Sequence, residues 1–398
     1  MGKNKIIVIG GGYGGLRTVE KLAKNPQNEI LLLDKNSYHF TQTEVYDLIA
    51  NEEDFAQVTV DLFTFCSGFE GNVTFLKQEV NNIDFKNKKV ITTVQRFSYD
   101  YLVISVGART KFVEDVIGLR THAHGIKSLH RAMYFKQKFE ISLFKRVEES
   151  GTSCKPINII VAGGGLSGVE IAAQMASFSK EFYRKNNFIC RKLNIVLINA
   201  NEHVLYGLDE VLVEKTDIRL KELEITIKNR RKVVEITQNS VTLNCGEVMH
   251  MDFMIFTGGI EPNGLVHNLT LEKNRAGYIV SNAYLQTSDY SDVFAIGDCT
   301  TIFHDGNVVA PTADTAEQMA DICAKNITNL IASKPLIAHK IKSRGILIAL
   351  GRRYAVAKIF GIYVSGYFAY IMKKGVEKIY EKKLEIRSRK GCKKIFCS

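Results

Sequence analysis

The 398-residue chain lacks tryptophan and has only 5 prolines and 8 cysteines. The cysteines form no CxxC pair and no metal-like spacing with histidine, so we expect free thiols, a reducing cytosol and no bound metal. Long uncharged runs are scarce: residues 359–372 are 14 uncharged residues, whereas a helix needs about 20 apolar ones to span a bilayer. With 45% hydrophobic and 24% charged residues, the composition is that of a globular protein rather than a disordered one.

Positive charge is concentrated at one end of the chain. The formal net charge is +11, but residues 340–398 contain 16 lysines and arginines against three glutamates and therefore carry +13. The first 339 residues are left with a net charge of −2. A near-neutral body with one basic end is not the pattern of a nucleic-acid-binding protein, and we expect no nucleic acid among the partners.

The N-terminal region combines an apolar run, a glycine motif and a helical pattern in KIIVIGGGYGGLRTVEKLAKN. Its glycines fit G-x-G-x-x-G, where glycine lets the backbone turn tightly, approach a pyrophosphate and pack the helix on its strand. The next apolar run, EILLLD, ends at Asp34, where a carboxylate can accept hydrogen bonds from ribose hydroxyls. The combination predicts a dinucleotide-binding loop. Its residues are Gly10, Gly12, Tyr13, Gly14 and Gly15.

A second copy of this pattern follows in INIIVAGGGLSGVEIAAQMA. Its helix is long, and the next strand, LNIVLIN, ends at Asn199, where an acidic residue is the usual choice. Two dinucleotide folds indicate two dinucleotides, and a flavin with a nicotinamide is the commonest pair because hydride passes between them. The residues of the second loop are Gly163, Gly165, Leu166, Ser167 and Gly168.

Three further segments complete a recognisable order. YDYLVISVGART includes Gly107, DFMIFTGGIEPN includes Gly259, and SDVFAIGDCT places Asp298 after a short buried strand. With the first glycine motif they resemble the flavoprotein disulfide reductase superfamily with two dinucleotide folds. The resemblance implies an α/β fold with two Rossmann-like domains, and an aspartate, Asp298, that binds the ribityl chain of FAD. The implied FAD domain covers residues 1–117 and 258–339, and the NAD(P) domain covers residues 118–257.

The cysteine positions argue against redox chemistry that uses a pair of thiols. No cysteine lies between Met1 and Phe65, so a thiol–disulfide relay after Asp34 is not expected. Sulfide:quinone reductase stays an alternative, although that family is expected to lack an intact second glycine motif and to have a cysteine trio. Cys154, Cys190, Cys299 and Cys323 do not match that trio.

The chain more narrowly resembles the type II NADH:quinone oxidoreductases, single-subunit respiratory flavoenzymes that do not pump protons. The matching features are Asp34-Lys35-Asn36 followed by a Tyr-His-Phe stretch, GGGLSGVE with its long helix, VFAIGDC followed by the helix ADTAEQ, and the run LGRRYAVAKIFGIYVSGYFAYIMKKG. His39 in the Tyr-His-Phe stretch is interpreted as packed or solvated and is not assigned to the site.

The resemblance implies roles for individual residues. Glu170 would lie where nicotinamide meets flavin, Lys35 would contact FAD, and Ala316 would let its helix approach the isoalloxazine ring. The quinone site would include Asp314, Thr315 and Gln318. In the family a glutamine occupies the position of Asp314, so the chain departs from the pattern there.

Cofactor choice is predicted from the second ribose position. The segment NANEHVL after the strand contains no arginine or lysine that could meet a 2′-phosphate. We therefore expect NADH rather than NADPH, together with FAD.

The basic C-terminal segment, residues 340–398, is predicted to attach the protein to a membrane. The uncharged aromatic stretch at 359–372 would lie in the lipid interface, and lysines from Lys373 and Lys374 onward would face anionic lipid. Every cofactor motif precedes residue 320, so deletion of residues 356–398 is expected to preserve FAD. The alternatives are a last core helix with a solvated basic end and an RNA-binding tail.

The family resemblance implies a peripheral protein on the cytoplasmic face of the plasma membrane. Its partners would be a membrane quinone and an anionic lipid surface, and it would form a homodimer. A soluble reductase that supplies a protein acceptor, and a redox sensor that is not an enzyme, remain open alternatives.

Overall fold

A computed structural model describes residues 2–148, 156–186, 193–304 and 306–396. The helices are α1 (Tyr13–Leu22), α2 (Val45–Ile49), α3 (Leu62–Ser67), α4 (Leu119–His122), α5 (Leu129–Glu148), α6 (Leu166–Asn186), α7 (Glu210–Glu222), α8 (Gly264–Asn268), α9 (Ala313–Ile331) and α10 (Tyr367–Phe396). The strands up to the second glycine motif are β1 (Asn4–Ile9), β2 (Asn28–Asp34), β3 (Tyr38–Phe40), β4 (Thr59–Asp61), β5 (Val73–Lys77), β6 (Val80–Asp84), β7 (Lys89–Thr92), β8 (Arg96–Ser98), β9 (Tyr101–Ile104), β10 (Ala108–Thr110), β11 (Ala123–His124) and β12 (Ile157–Ala162). The remaining strands are β13 (Leu193–Ile198), β14 (Thr226–Lys228), β15 (Val233–Ile236), β16 (Ser240–Leu243), β17 (Val248–His250), β18 (Phe253–Phe256), β19 (Ile260–Pro262), β20 (Ile279–Val280), β21 (Val293–Ala295), β22 (Thr300–Thr301), β23 (Phe303–His304), β24 (Asn307–Val308), β25 (Gly345–Ala349), β26 (Ala355–Ile359) and β27 (Ile362–Gly366).

The first glycine motif lies at the edge of a five-stranded parallel sheet with the order β21-β9-β1-β2-β5. Ile6 of β1 pairs with Ile30 on one side and with Tyr101 on the other. Strands buried on both faces have near-continuous apolar sequences, as the run IIVI does here. Because the strands are parallel, the loops that follow them gather at one edge.

A second five-stranded parallel sheet has the order β11-β18-β12-β13-β14. Its central strand β12 runs into the second glycine motif and α6, as β1 runs into the first motif and α1. Each sheet is accompanied by a three-stranded antiparallel sheet, β6-β7-β8 in the first half of the chain and β15-β16-β17 in the second. The prediction of an α/β fold with two Rossmann-like units is confirmed.

The two parallel sheets are joined by a pair of antiparallel strands. β10 leads out of the first sheet towards the second, β19 leads back, and Arg109 on β10 pairs with Glu261 on β19. Their side chains also form an ion pair, with 2.7 Å between Arg109 Nε and Glu261 Oε1. The second sheet is therefore an insertion whose two connections run side by side.

The C-terminal region differs from its predicted form. The stretch 359–372 was expected to be one segment in the lipid interface, but it is divided between the end of β26, the strand β27 and the first turns of α10. β25, β26 and β27 form an antiparallel sheet, and α10 then packs along α3. At that contact Gly391 and Gly68 allow close backbone approach, because an added Cβ would clash with the carbonyl groups of Thr64 and Arg387, respectively. None of the helices in the described ranges is long and apolar enough to cross a membrane.

Candidate active site

The first glycine loop has the form that a pyrophosphate requires. Gly10 has φ +105°, and a Cβ there would clash with the carbonyl group of Ser105, while a Cβ at Gly15 would clash with the carbonyl group of Gly10. A Cβ at Gly12 would meet no atom within 4 Å, so the loop is open where the ligand would lie. Gly12 begins α1 without a side-chain cap, which leaves the first N–H groups of the helix for an anion.

Asp34 supports this loop at the end of β2. Its Oδ2 accepts a hydrogen bond from the Gly11 N–H (2.7 Å), and its Oδ1 accepts one from the Asn36 N–H (2.7 Å). Burial raises the pKa of Asp34 despite these hydrogen bonds. Lys35 beside it is exposed. The carboxylate therefore lies next to the glycine loop, where the ribose of a dinucleotide would be, and the residues fit an FAD.

The second loop repeats the first. Gly163 has φ +123° and lies against Thr257, while a Cβ at Gly165 would meet no atom within 4 Å. A Cβ at Gly168 would clash with the Gly163 carbonyl, as at the corresponding position in the first loop. Leu166 begins α6, which follows this loop. The residues fit a second dinucleotide.

One short segment connects the two loops. The Tyr13 hydroxyl lies 3.0 Å from Thr43 Oγ1, and the Tyr46 hydroxyl donates to Ser167 Oγ at 2.9 Å. Tyr13 belongs to the first loop and Ser167 to the second, so residues 43–46 touch both. Two dinucleotides bound in these loops would lie on either side of the same few residues.

The remaining flavin-side residues lie after the neighbouring strands of the first sheet. Gly107 follows β9 with φ +65°, and Asp298 lies in a 3₁₀ turn after β21 that begins at Gly297 with φ +71°. Asp298 Oδ2 accepts a hydrogen bond from Lys127 Nζ at 2.9 Å. No sequence motif indicated Lys127, because it is 171 residues away from Asp298 along the chain. Gly259 is exposed with φ +143° just before β19.

α9 begins beside the first loop, as its small residues require. A Cβ at Gly14 would lie 3.5 Å from the Ala316 carbonyl, and one at Gly297 would lie 3.7 Å from Ala316 Cβ. Thr312 is the N-cap, and it forms a reciprocal capping box with Thr315. The hydroxyl of Thr315 also donates to the Ala310 carbonyl at 2.9 Å, and the residue is buried. Thr315 thus fixes the start of the helix.

Asp314 and Gln318 form a pair, as their spacing predicts. Gln318 Nε2 donates to Asp314 Oδ2 (2.8 Å) and to the Lys342 carbonyl (2.9 Å). Arg344 Nε lies 3.5 Å from Asp314 Oδ1. A carboxylate beside a reduced flavin, which carries negative charge, would be electrostatically unfavourable without a nearby cation. The structure supplies Arg344, a cation that lowers the cost of that charge.

Glu170 is the fifth residue of α6 and is buried. Its Oε1 accepts a hydrogen bond from the Ala349 N–H of β25 (2.9 Å) and lies 3.9 Å from Lys373 Nζ of α10. Burial raises the pKa of Glu170 to about 7, against the opposing effects of Lys373 and the Ala349 N–H. Glu170 is therefore a buried carboxyl that changes charge near neutral pH.

Charged side chains of α10 lie beside Glu170 and Asp47. Burial disfavours the ammonium of Lys373, yet its pKa is raised because Glu170, Glu377 and Asp47 surround it. Lys374 Nζ lies 2.6 Å from Asp47 Oδ2, and Gln174 of α6 also donates to Asp47. The expectation that Lys373 and Lys374 face lipid is wrong, because both are held by carboxylates inside the protein.

α10 also reaches the first glycine loop through His39. Tyr380 lies 3.0 Å from His39 Nε2, and His39 Nδ1 lies 2.9 Å from the Gly11 carbonyl. A carbonyl only accepts, so Nδ1 carries the proton and Tyr380 donates to Nε2. Burial lowers the pKa of His39 to about 4, which keeps the ring neutral. His39, interpreted from sequence as packed or solvated, is packed, and it also connects the terminal helix to the loop.

Three of the described cysteines are not poised for thiol chemistry. Cys66, Cys299 and Cys323 are buried, and burial raises the pKa of each thiol. Cys154 and Cys190 lie outside the described residues. Among the residues that the structure covers, no group of histidine, cysteine and carboxylate side chains could hold a metal ion.

Comparison with curated proteins identifies related quinone reductases. The chain is 29% identical over 376 residues to demethylphylloquinone reductase NdbB of Synechocystis, covering 91% of this chain and 88% of that one. It is 25% identical to the type II NADH:quinone oxidoreductase of Staphylococcus saprophyticus, covering 94% of both chains. The Haemophilus influenzae enzyme of the same name is 26% identical, covering 98% of this chain and 95% of that one. The resemblance to type II NADH:quinone oxidoreductases is confirmed.

Solved structures share the fold. NDH2 from Plasmodium falciparum in complex with NADH gives a TM-score of 0.86 at 18% identity, covering 99% of both chains. The sulfide:quinone oxidoreductase from Aquifex aeolicus gives 0.82 at 20% identity, covering 99% of this chain and 95% of that one. The sequence itself matches the family described as pyridine nucleotide-disulphide oxidoreductase over residues 4–320. The chain belongs to that family.

Proposed function

We propose that the protein oxidises NADH and reduces a membrane quinone by two electrons, as a type II NADH:quinone oxidoreductase. The observation that carries this proposal is the short segment at residues 43–46, which hydrogen-bonds to both glycine loops. It brings the two dinucleotide sites together, as direct hydride transfer requires. When bound, FAD supplies the hydride acceptor and the electron donor to quinone.

The protein groups bind and orient. We assign residues 1–117 and 258–339 to the FAD unit, where Asp34 and Asp298 would hold ribose and ribityl hydroxyls. Residues 118–257 form the proposed nicotinamide unit. The N-terminus of α9 presents its dipole to the flavin side and would favour negative charge there. Glu170 is proposed to lie at the nicotinamide and to hold a proton near neutral pH.

The quinone is proposed to meet the start of α9. Gln318 and Asp314 face the segment at Lys342 and Arg344, so this wall is polar and internally hydrogen-bonded. Gln318→Leu should impair quinone turnover while FAD and NADH still bind. The side chain of Thr315 is engaged in the helix cap, so we give it a supporting role through the cap.

The membrane would contact a surface formed by the first half of α10 and the β26–β27 hairpin, where large apolar side chains are exposed. In the first half of α10, Lys373 and Glu377 are buried while Phe368, Ile371 and Ile379 are exposed. Beside them, Phe360 at the tip of the β26–β27 hairpin is 90% exposed. Large apolar side chains exposed together on this part of the surface favour contact with a lipid interface.

Basic residues further along α10 would bind anionic lipid. Lys382 and Lys390 are exposed, whereas Lys383 lies 3.6 Å from Glu20. We propose a peripheral location on the cytoplasmic face of the plasma membrane, with lipid contact through the hairpin and α10. A homodimer remains a prediction from the family resemblance.

Acceptor competition tests the function. The purified, FAD-loaded full chain would be mixed with NADH in three parallel assays. The first contains a short-chain quinone, the second contains sulfide plus quinone, and the third contains a ferredoxin-type protein. Rapid NADH oxidation that requires the quinone, and neither sulfide nor the protein acceptor, supports the proposal. NADH oxidation with only the protein acceptor, or quinone reduction that sulfide drives and NADH does not, would replace it by the corresponding alternative.

A further inference from the structure

We propose that the nicotinamide site also accepts NADPH, whose 2′-phosphate would bind to Arg230 and Arg231. This inference rests on the proposed function and concerns the ribose end of the same site. The sequence segment after β13 contains no arginine or lysine, which favoured NADH over NADPH. The structure brings basic residues there from the end of the adjacent strand β14.

The two glycine loops of the chain allow an internal comparison. In the first loop the carboxylate of Asp34 binds the Gly11 N–H at 2.7 Å. In the second loop Asn199 occupies the corresponding place, with its Oδ1 2.5 Å from where a Cβ on Gly164 would lie. An acid at this place favours a ribose 2′-hydroxyl and repels a 2′-phosphate, whereas an amide has no charge to repel it.

The amide of Asn199 is occupied within the protein. Its Nδ2 donates to Asn229 Oδ1 at 2.8 Å and to the Asn201 carbonyl at 3.1 Å, and its Oδ1 accepts from the Asn201 N–H at 3.3 Å. Asn199 therefore joins the segments that follow β13 and β14 rather than presenting an acceptor to the ribose. Recognition of the ribose end is left to neighbouring side chains.

Those neighbours are arginines. The Arg231 N–H donates to the Asn199 carbonyl at 3.0 Å, and the Arg230 N–H donates to the Asn201 carbonyl at 2.9 Å. Backbone hydrogen bonds thus fix both residues beside the ribose position, although they lie about thirty residues further along the chain. Guanidinium groups bind phosphate in a bidentate way and keep their charge at all relevant pH values.

The existing ion pair of Arg230 would not prevent this binding. Arg230 Nη2 lies 3.2 Å from Glu202 Oε1, with side chains 68% and 67% exposed. Exposed pairs of this kind contribute little stability, and a phosphate dianion is a stronger acceptor than a solvated carboxylate. Arg231 Nη1 donates to the Arg230 carbonyl at 3.2 Å, which orients one edge of its guanidinium.

The reaction balances as it does with NADH. C4 of the nicotinamide loses a hydride, so the C–H bond breaks with its electron pair and NADPH becomes NADP⁺. Quinone gains those two electrons, the hydride's proton and one proton from solvent, and becomes quinol. The phosphate changes only the binding of the donor.

Binding is the direct test. We would measure the dissociation constants of NADP⁺ and NAD⁺ with the FAD-loaded full chain by calorimetry, at low and fixed ionic strength. The double variant Arg230→Ala/Arg231→Ala should weaken NADP⁺ binding by about ten-fold or more and leave NAD⁺ binding within about two-fold. Asn199→Asp should also weaken NADP⁺ binding selectively, and Glu202→Gln should strengthen it.

A matched control separates local from general charge effects. Arg184 is exposed on α6, 18 residues after its start at Leu166 and therefore about 27 Å along the helix from the glycine loop. Arg184→Ala should leave both constants unchanged. If the wild type binds NAD⁺ but not NADP⁺, or if the arginine variants weaken both nucleotides equally, the NADPH inference is overturned and the proposed function stands. If neither nucleotide binds, the proposed function fails with it.

Discussion

At the scale of single residues, Glu170 provides a test of the site's electrostatics. Burial raises its pKa to about 7, so the neutral acid is the form that the folded chain favours. A carboxyl with a raised pKa in the folded state stabilises the protein most at low pH, and this contribution disappears as pH rises through the folded pKa.

Glu170→Gln removes that titration. Relative to the variant, the wild type should lose about 1 kcal/mol of unfolding free energy between pH 6 and pH 8, as measured by denaturant unfolding. Glu52, whose pKa burial also raises to about 7, titrates in both proteins and cancels in the difference. A difference between the two proteins that is independent of pH would show that Glu170 does not titrate in this range.

At the scale of elements, α10 belongs to the flavin site as well as to the membrane surface. Tyr380 binds His39, which binds the Gly11 carbonyl of the first glycine loop. The sequence placed every cofactor motif before residue 320 and predicted that deletion of residues 356–398 would preserve FAD. These contacts lead us to expect the opposite. The deletion should weaken FAD binding and lower the free energy of unfolding.

Tyr380→Phe tests this contact without deleting the helix. The change leaves His39 Nε2 buried without its donor, at a cost of about 1–3 kcal/mol, so FAD should dissociate more readily and the protein should unfold at lower denaturant concentration. Tyr367→Phe removes a hydroxyl from an exposed position on the same helix and is the control. Equal FAD affinity in the wild type and both variants would mean that α10 does not support the loop.

The β26–β27 hairpin provides the second prediction for an element. Phe360 has φ +49°, a conformation that asparagine adopts more readily, so Phe360→Asn should preserve the turn while it removes the apolar tip. Binding to vesicles that contain phosphatidylglycerol should weaken by about ten-fold or more, as expected for the loss of one phenylalanine that is buried in lipid when the protein is bound.

The control for the hairpin is Phe144→Asn, which removes an exposed phenylalanine from α5. Vesicle co-sedimentation should not distinguish this variant from the wild type. If Phe360→Asn also binds vesicles as the wild type does, the hairpin is not part of the membrane surface.

At the scale of the whole molecule, local sequence patterns predicted the secondary-structure elements but not the contacts between residues that are distant along the chain. The forms of the two glycine motifs and the place of Asp34 beside the first were predictable because each depends on a few adjacent residues. Lys127, Arg344 and Arg230 were missed because distant parts of the chain bring them to the site. Lys373 and Lys374 were misinterpreted because a basic run looks the same whether its charges face lipid or buried carboxylates.

The central claim is that one chain passes electrons from NADH through FAD to quinone. The most direct measurement is the flavin absorbance of the purified full chain in an anaerobic stopped-flow experiment, with one equivalent of NADH added first and a short-chain quinone second. We expect rapid bleaching by NADH and equally rapid recovery with quinone, and slower bleaching with unchanged FAD content in Glu170→Gln. A flavin that NADH does not bleach, or one that NADH bleaches and quinone does not reoxidise, would contradict the central claim.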